Sequence, residues 1–411
     1  MKVCMISTAP PRPCGIANYS VKLTKALCKQ GKCRLVVLAD DYDANVKNAF
    51  VSSERFRITD AWTRNSFLYP FQIFRALVRE KPDVIHIQHE YLLFGSPQVS
   101  GIFPAFLLLL HLLRKPIVVT MHAVIPRTSL STAFFTKYGL KGRLVWLGKF
   151  ATFVVTTLLG AFASKVVVHL ESAKEALIEC YKFSPEKVTI IPHGVDNFEN
   201  DLKPSDAKEK LDLSGRRMVL FFGFIRPSKG IEHLLEAMPT IGNQYPDATL
   251  VIVGGYHPYL TDGNADYLGQ LKTLVHTLRL DEKVIFINGF VPHEELRVYF
   301  AASDVAVFPY TEADVLGTSG ALWSFAGCRK PVVVSNIGRF REEIYDGENG
   351  LLVPPADPAS LAKAVISVFS NPDLRQRISE NLENKAKENA WENIAEKTVN
   401  LYCKIGSQRA I

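Results

Sequence analysis

The chain has 411 residues, 47% of them hydrophobic and 22% charged, with a formal net charge of +7. Disorder is excluded as the main state, because that much apolar surface offsets the entropy of ordering the chain. Scattered Gly and Pro exclude a collagen-like or low-complexity chain, and the length suggests two or three domains. The modest positive excess suits a small anionic ligand or an anionic membrane surface, and no nucleic acid is expected. Seven cysteines form no CxxC pair. An odd count without that spacing speaks against a disulfide framework or a zinc ribbon, and for reduced thiols in a cytoplasmic protein.

The N-terminus, MKVCMISTAPPRPCG, reads as a first strand over Lys2 to Thr8 and not as a signal peptide, which needs a longer apolar core. A helix follows from Ile16 to Gln30, ended by Gly31. Short, apolar, β-branched runs then recur at Leu35–Ala39, Val84–Gln88, Ile117–Met121, Val166–His169 and Val188–Ile191. Strands apolar throughout, with helices between them, indicate a parallel sheet covered on both faces. A second series comprises Val219–Phe222, Thr249–Val253, Val284–Ile287, Val305–Phe308 and Val332–Ser335. Helices are expected between these strands at Gly230–Met238, Tyr267–Arg279, His293–Ala302 and Gly320–Gly327. The polar stretch Asn197–Ser214 reads as a linker, and Asp373 to about Gly406 reads as one late helical segment with Trp391 as an aromatic anchor. The fold class is therefore α/β, two doubly wound domains facing a cleft, with a ligand expected at the carboxyl ends of the strands.

Two stretches are unusually apolar. Ile102–Leu113 is too short to cross a bilayer as a helix, whereas Leu144–Ala163 is long enough, interrupted by Lys149. A crossing there would fall between two strands of one sheet. Lys137, Lys141, Arg143 and Lys149, with Phe134, Phe135 and Trp146, offer instead an amphipathic surface for anionic lipid, and a helix buried against the sheet is the bland alternative.

The candidate residues lie in loops after strands. Gly15 opens the first helix, where backbone amides can meet an anion. No GxGxxG is present, which disfavours a dinucleotide oxidoreductase. In Gly223-Phe-Ile-Arg226-Pro-Ser-Lys229-Gly230, two cations three apart suit a diphosphate, or form a solvated basic turn. In the loop from Pro309 to Gly320, Thr318 or Ser319 is a helix N-cap and Gly320 exposes amides, while Glu312 and Asp314 are acceptors for sugar or ribose hydroxyls. His86, His89, His122, His169 and His193 all stand near strand ends. They form no compact ligand set, so no metal is assigned and cleft hydrogen bonding is preferred.

Several segments together resemble the retaining, nucleotide-sugar glycosyltransferases of the GT-B fold, the group 1 family (glycosyltransferase family four). FGFIRPSKGIEHLLEAM resembles the family's phosphate-binding strand–loop–helix, IPHGVD its domain junction, and SDVAVFPY and RKPVVVSNIGRFREEIYDGENGLLVPPADPASLAKAV its C-terminal half. PPRPCGIANYS and DVIHIQHEYLLFG resemble a subgroup with a GIA-type first loop and a QHEY strand end. The resemblance implies two Rossmann-like domains, an acceptor-side domain over residues 1–200 and a nucleotide-sugar domain over 201–385. A last helix, 386–411, is expected to cross back to the first domain. It implies transfer of a sugar from an NDP-sugar, as co-substrate, to a hydroxyl of a glycan or lipid-linked acceptor, with no cofactor and no metal. Arg226 and Lys229 would bind the donor diphosphate and stabilise the departing charge. Gly15 would face the same phosphates, and Thr318, Ser319 and Gly320 would cap them. Val291 would border the base, Glu312 would stand near the donor, and His122 would hydrogen-bond the sugar. A cytoplasmic protein, peripheral at the inner face of the membrane, is the expected setting.

One departure stands out. The family usually carries two glutamates eight residues apart, and here those places hold Leu316 and Ser324. The alternatives are therefore a non-catalytic nucleotide-sugar-binding or scaffolding relative, or another GT-B enzyme such as a sugar-nucleotide epimerase or a phosphorylase.

Overall fold

The computed structural model describes residues 1–42, 55–137, 140, 142–196, 202–256, 266–289, 291–311 and 315–407. The chain divides into two compact units. The first comprises Met1–Gly194, the short piece Asp314–Thr318 and the segment from Trp391 onward; the second comprises Val195–Ala313 and Ser319–Ala390.

The first unit is built on seven parallel strands: β1 (Lys2–Ile6), β2 (Arg34–Asp40), β3 (Phe56–Trp62), β4 (Val84–His89), β5 (Ile117–Met121), β6 (Lys165–Val168) and β7 (Val188–Ile190). Their order is β3-β2-β1-β4-β5-β6-β7. The direction of winding reverses between β1 and β4, the place where open α/β sheets hold ligands. The inner strands are buried along nearly their whole length, as the apolar runs require. Strand β3 is the one the hydrophobic pattern does not announce. It is an edge strand, FRITDAW, with several partly exposed positions, so it lacks the continuous apolar signature of a strand covered on both faces.

Helix α1 (Gly15–Lys29) packs on the last helix of the chain, Trp391–Ser407, which is part of this first unit. The late helical segment is thus not continuous. It breaks at Asn389–Ala390 into Pro372–Glu388 and Trp391–Ser407. In the second unit the Asn389 carbonyl accepts from Val195 N at 2.8 Å. In the first, the Trp391 ring lies on Gly194 so closely that a Cβ there would run into it. Backbone pairing and aromatic packing fix the break where no Pro or Gly marks it.

The second unit carries six parallel strands: β8 (Arg217–Phe222), β9 (Ala248–Gly254), β10 (Val284–Asn288), β11 (Val305–Phe308), β12 (Val332–Ser335) and β13 (Leu351–Val353), in the order β10-β9-β8-β11-β12-β13. The three-residue edge strand β13 is too short to be read from the sequence. The helix expected to stop at Met238 runs on as Ile231–Gln244, with Pro239 inside it. Ile241 is fully buried one residue pair beyond the proline, and that burial offsets the lost backbone hydrogen bond. Part of the stretch read as linker, Pro204–Lys210, is a helix whose Ala207 is buried in the core of this unit.

The apolar helix expected at Leu144–Ala163 spans Arg143–Phe162. It is long and apolar enough to cross a membrane by length and composition. It nevertheless joins β5 to β6, which are hydrogen-bonded neighbours in one parallel sheet, so both of its ends return to the same sheet.

Candidate functional site

The second unit brings two loops and a helix start together. Strand β8 ends at Phe222, and the turn that follows, Pro227–Lys229, places Lys229 just before the next helix, which starts at Ile231. Gly230 takes φ +61°, and a Cβ at that position would run into the carbonyl oxygen of Pro309, in the loop after β11. Thr311 N donates to the Ser228 carbonyl at 3.1 Å, closing the two loops on each other. The ammonium of Lys229 stands 3.5 Å from the centroid of the Tyr310 ring and is largely buried. Tyr310 Oη lies 3.4 Å from Ser319 Oγ, and Ser319 Oγ accepts from Leu322 N to cap the helix Gly320–Ala326. Burial raises the Tyr310 phenol above its ordinary value, so it stays a neutral hydroxyl. Ser228 Oγ is buried and has no hydrogen-bond partner among the described residues.

Lys229, Ser319 and Gly320 therefore belong to one structural neighbourhood, with Arg226 on the same turn. Val291 packs half-buried against the core of the same unit. Glu312 and Asp314 lie outside the described residues. Tyr310 was not singled out in the sequence. Its position just after an apolar strand was visible, but its contact with a cation in a distant loop was not.

The first unit gathers a histidine cluster at the carboxyl ends of β4 to β7. His122 Nε2 lies 2.8 Å from the side-chain amide of Gln88, and His122 Nδ1 lies 3.4 Å from His169 Nε2. His169 Nδ1 donates to the Ile191 carbonyl at 2.8 Å. His86 bonds the Tyr402 hydroxyl at 2.6 Å and Thr120 Oγ1 at 2.8 Å. Tyr19, on α1, sets its ring edge-on to His122 at 4.7 Å and also contacts His169, His193 and Trp391. Burial lowers His86 to about 3 and His89 and His169 to about 4, and it lowers His122 well below its ordinary value, helped by the neighbouring histidines. These rings are neutral hydrogen-bonding groups at pH 7. Among the described residues no group of three or more His, Cys, Asp or Glu could hold a metal ion.

Gly15 is exposed at the start of α1, and a Cβ there would meet nothing. Leu316, one of the two positions where the family usually has an acid, exchanges two backbone hydrogen bonds of 2.8 Å with Val124. Gly317 beside it lies against the His122 carbonyl, leaving no room for a side chain. Thr318, in the same piece of the first unit, is half-buried. Ser324 lies within the helix Gly320–Ala326 of the second unit.

The fold is shared with known structures over nearly its whole length. Sucrose-phosphate synthase from Thermosynechococcus elongatus superposes with a TM-score of 0.76 at 22% identity, covering 99% of this chain and 100% of that chain. HepE from Anabaena, solved in complex with UDP, superposes with a TM-score of 0.72 at 19% identity, covering 98% and 100%. The two parallel-sheet units and these neighbours define the class: a GT-B fold with a C-terminal helix returned to the first unit. Residues 13–197 match the family described as Glycosyltransferase Family 4, and residues 203–385 match Glycosyl transferases group 1. The chain belongs to the group 1 glycosyltransferases. An uncharacterized glycosyltransferase of Methanocaldococcus jannaschii is 32% identical over 246 residues, which is 58% of this chain and 59% of that relative. The match thus spans less than two thirds of that relative's length.

Proposed function

We propose that the chain is a retaining hexosyltransferase that moves a sugar from an NDP-sugar to a hydroxyl of a glycan or lipid-linked acceptor. The observation that carries this reading is the placement of Lys229, buried against Tyr310 and one ring away from the Ser319 cap. A cation held rigidly at a strand end, with Arg226 on the same turn, suits the charge that appears on a diphosphate as its bond to the sugar breaks. The UDP complex of HepE, a structural neighbour, supports a nucleoside diphosphate as the ligand class.

In this reading the bond between the sugar C1 and the diphosphate oxygen breaks, and the acceptor oxygen bonds to C1 on the face that the nucleotide leaves. The acceptor proton passes to the departing phosphate oxygen. Arg226 and Lys229 hold that phosphate, so the positive charge is supplied by the protein's own side chains and no cofactor is invoked. Ser319 and Gly320, in the same unit as that turn, cap the phosphates through hydroxyl and amide groups. Neutral His122, oriented by Gln88 and His169, hydrogen-bonds the sugar, and Val291 borders the base. A cytoplasmic setting, where nucleotide sugars are available, accompanies this reading.

The test is release of nucleoside diphosphate from a panel of NDP-sugars with glycan and lipid-linked acceptors, for the wild type and for Arg226→Ala and Lys229→Ala. Acceptor-dependent release that both variants abolish supports the reading, and release unchanged in both removes the site. The residues at Leu316 and Ser324 favour one second reading, a nucleotide-sugar-binding relative without turnover. Binding without release on any acceptor would identify it.

A further inference from the structure

We propose that the outer face of the helix Arg143–Phe162 docks the first unit on the surface of an anionic lipid bilayer. The proposal does not depend on whether the chain transfers sugar.

A helix that covers a sheet normally turns its apolar stripe inward and its polar residues to water. This one does the reverse over its first two turns. Leu144, Trp146, Leu147 and Phe150 are each more than half exposed, and they share one helical face. Trp146, 68% exposed, stacks on Phe150 with ring centroids 5.7 Å apart and planes 7° apart. The hydroxyls point the other way. Thr152 and Thr156 are buried, bonding the Gly148 and Thr152 carbonyls, and Tyr91 meets Thr156 at 3.0 Å. Phe134 and Phe135, expected to share the outer surface, are instead buried against Val145. Of the three aromatic residues singled out there, only Trp146 faces outward. The neighbouring helix Phe103–His111 packs on this one, and Leu108 and Leu112 beside it are also more than half exposed.

Charge identifies the occupant. From Tyr91 to Leu170 there is no carboxylate, while eight Lys and Arg occur, more than the excess of the whole chain. Arg143 is exposed within this face, and Lys149, partly buried, flanks it beside Trp146. A second copy meeting this face would set cation against cation with no acid on the helix to complement it. An anionic headgroup layer accepts both features: the cations bind phosphates while Trp146, Leu147 and Phe150 enter the acyl boundary. The hydrogen-bonded pair β5–β6 returns both helix ends to one sheet, so the contact is peripheral.

The protein carries its own probe. Of its four tryptophans, Trp62, Trp323 and Trp391 are buried and Trp146 is not. Full-length protein is titrated with phosphatidylcholine vesicles with and without phosphatidylglycerol, followed by tryptophan emission and co-sedimentation. The expected result is a blue shift and sedimentation with the anionic vesicles only, reversed by salt, with quenching by brominated lipid. The double variant Trp146→Glu, Phe150→Glu should bind about tenfold or more weakly, since it removes the apolar part of the contact. Its urea midpoint and its nucleotide binding should stay unchanged. Arg143→Ala with Lys149→Ala should weaken anionic binding alone.

Any of three results overturns the proposal. The first is no spectral change with anionic vesicles. The second is a wild-type dimer that the Glu variants turn into monomer. The third is protein retained in membranes after alkaline extraction. Vesicle binding without any nucleotide response would leave this proposal standing and remove the transferase reading.

Discussion

The Lys229 ammonium and the Tyr310 ring, from loops that follow different strands, meet at 3.5 Å, and Tyr310 reaches Ser319 on its far side. One ring thus ties the cation to the helix cap. A contact between an ammonium and an aromatic face is worth about 0.5–2 kcal/mol, more when water is excluded. Tyr310→Phe keeps the face and should bind nucleoside diphosphate within about threefold of the wild type, whereas Tyr310→Leu should weaken it by about tenfold. Titration calorimetry checks this. Equal affinity for Leu and Phe would show that the ring does not position the cation.

Gly230 is the tightest point of the same neighbourhood. Its positive φ and the Pro309 carbonyl leave no room for a side chain. Gly230→Ala should cost more than about 1 kcal/mol through backbone conformation alone, and should also separate the two loops. The expected outcome is a lower urea midpoint together with lost nucleotide binding. A variant that is destabilised but binds normally would uncouple the loop from the site.

Trp391 anchors the last helix to the first unit against Gly194, Tyr19 and His193. Trp391→Ala should destabilise the protein by about 3–5 kcal/mol, the usual cost of deleting a large buried aromatic. Limited proteolysis should then cut the chain near residue 390. Gly194→Ala should do the same by pushing on the ring. Intact, protease-resistant chains in both variants would contradict the anchoring role.

The buried histidines make stability depend on pH. His86 is lowered to about 3, and His89 and His169 to about 4, by burial, while the unfolded chain titrates near 6.5. Between those values the unfolded state holds more protons. Stability is therefore fully present above about pH 6.5 and is lost as the pH falls toward 4, by about 2 kcal/mol per histidine at pH 5. Urea unfolding at pH 7 and pH 5 measures it. An equal or greater stability at pH 5 would contradict neutral burial of the cluster.

The sequence carried much of this architecture in its apolar runs. Val305–Phe308, Val332–Ser335 and Ile117–Met121 fall on strands with the same bounds, because strands covered on both faces are apolar from end to end. The edge strands Phe56–Trp62 and Leu351–Val353 escaped, one partly exposed and one too short. The helix expected over Gly230–Met238 runs on through Pro239 to Gln244, since burial of Ile241 outweighs the local cost of a proline. Around the candidate site, Arg226, Lys229, Ser319 and His122 were visible as polar residues in loops after apolar strands. Tyr310 and Gln88 were not, because each matters through a contact with a residue far away in the chain, and no periodicity records such contacts. The burial of Phe134 and Phe135 was hidden for the same reason, whereas Trp146 faces outward as the local composition suggested.

In the proposed function the Arg226–Lys229 turn binds the diphosphate of a nucleotide sugar. Thermal unfolding of the wild type, Arg226→Ala and Lys229→Ala against UDP, GDP, ADP and their sugars tests it most directly. A ligand at about 100 times its Kd stabilises the fold by about 2.7 kcal/mol. The expected result is a clear rise in Tm with one nucleotide series for the wild type, and its loss in both variants. No rise with any nucleotide, or a rise of equal size in all three proteins, would contradict it.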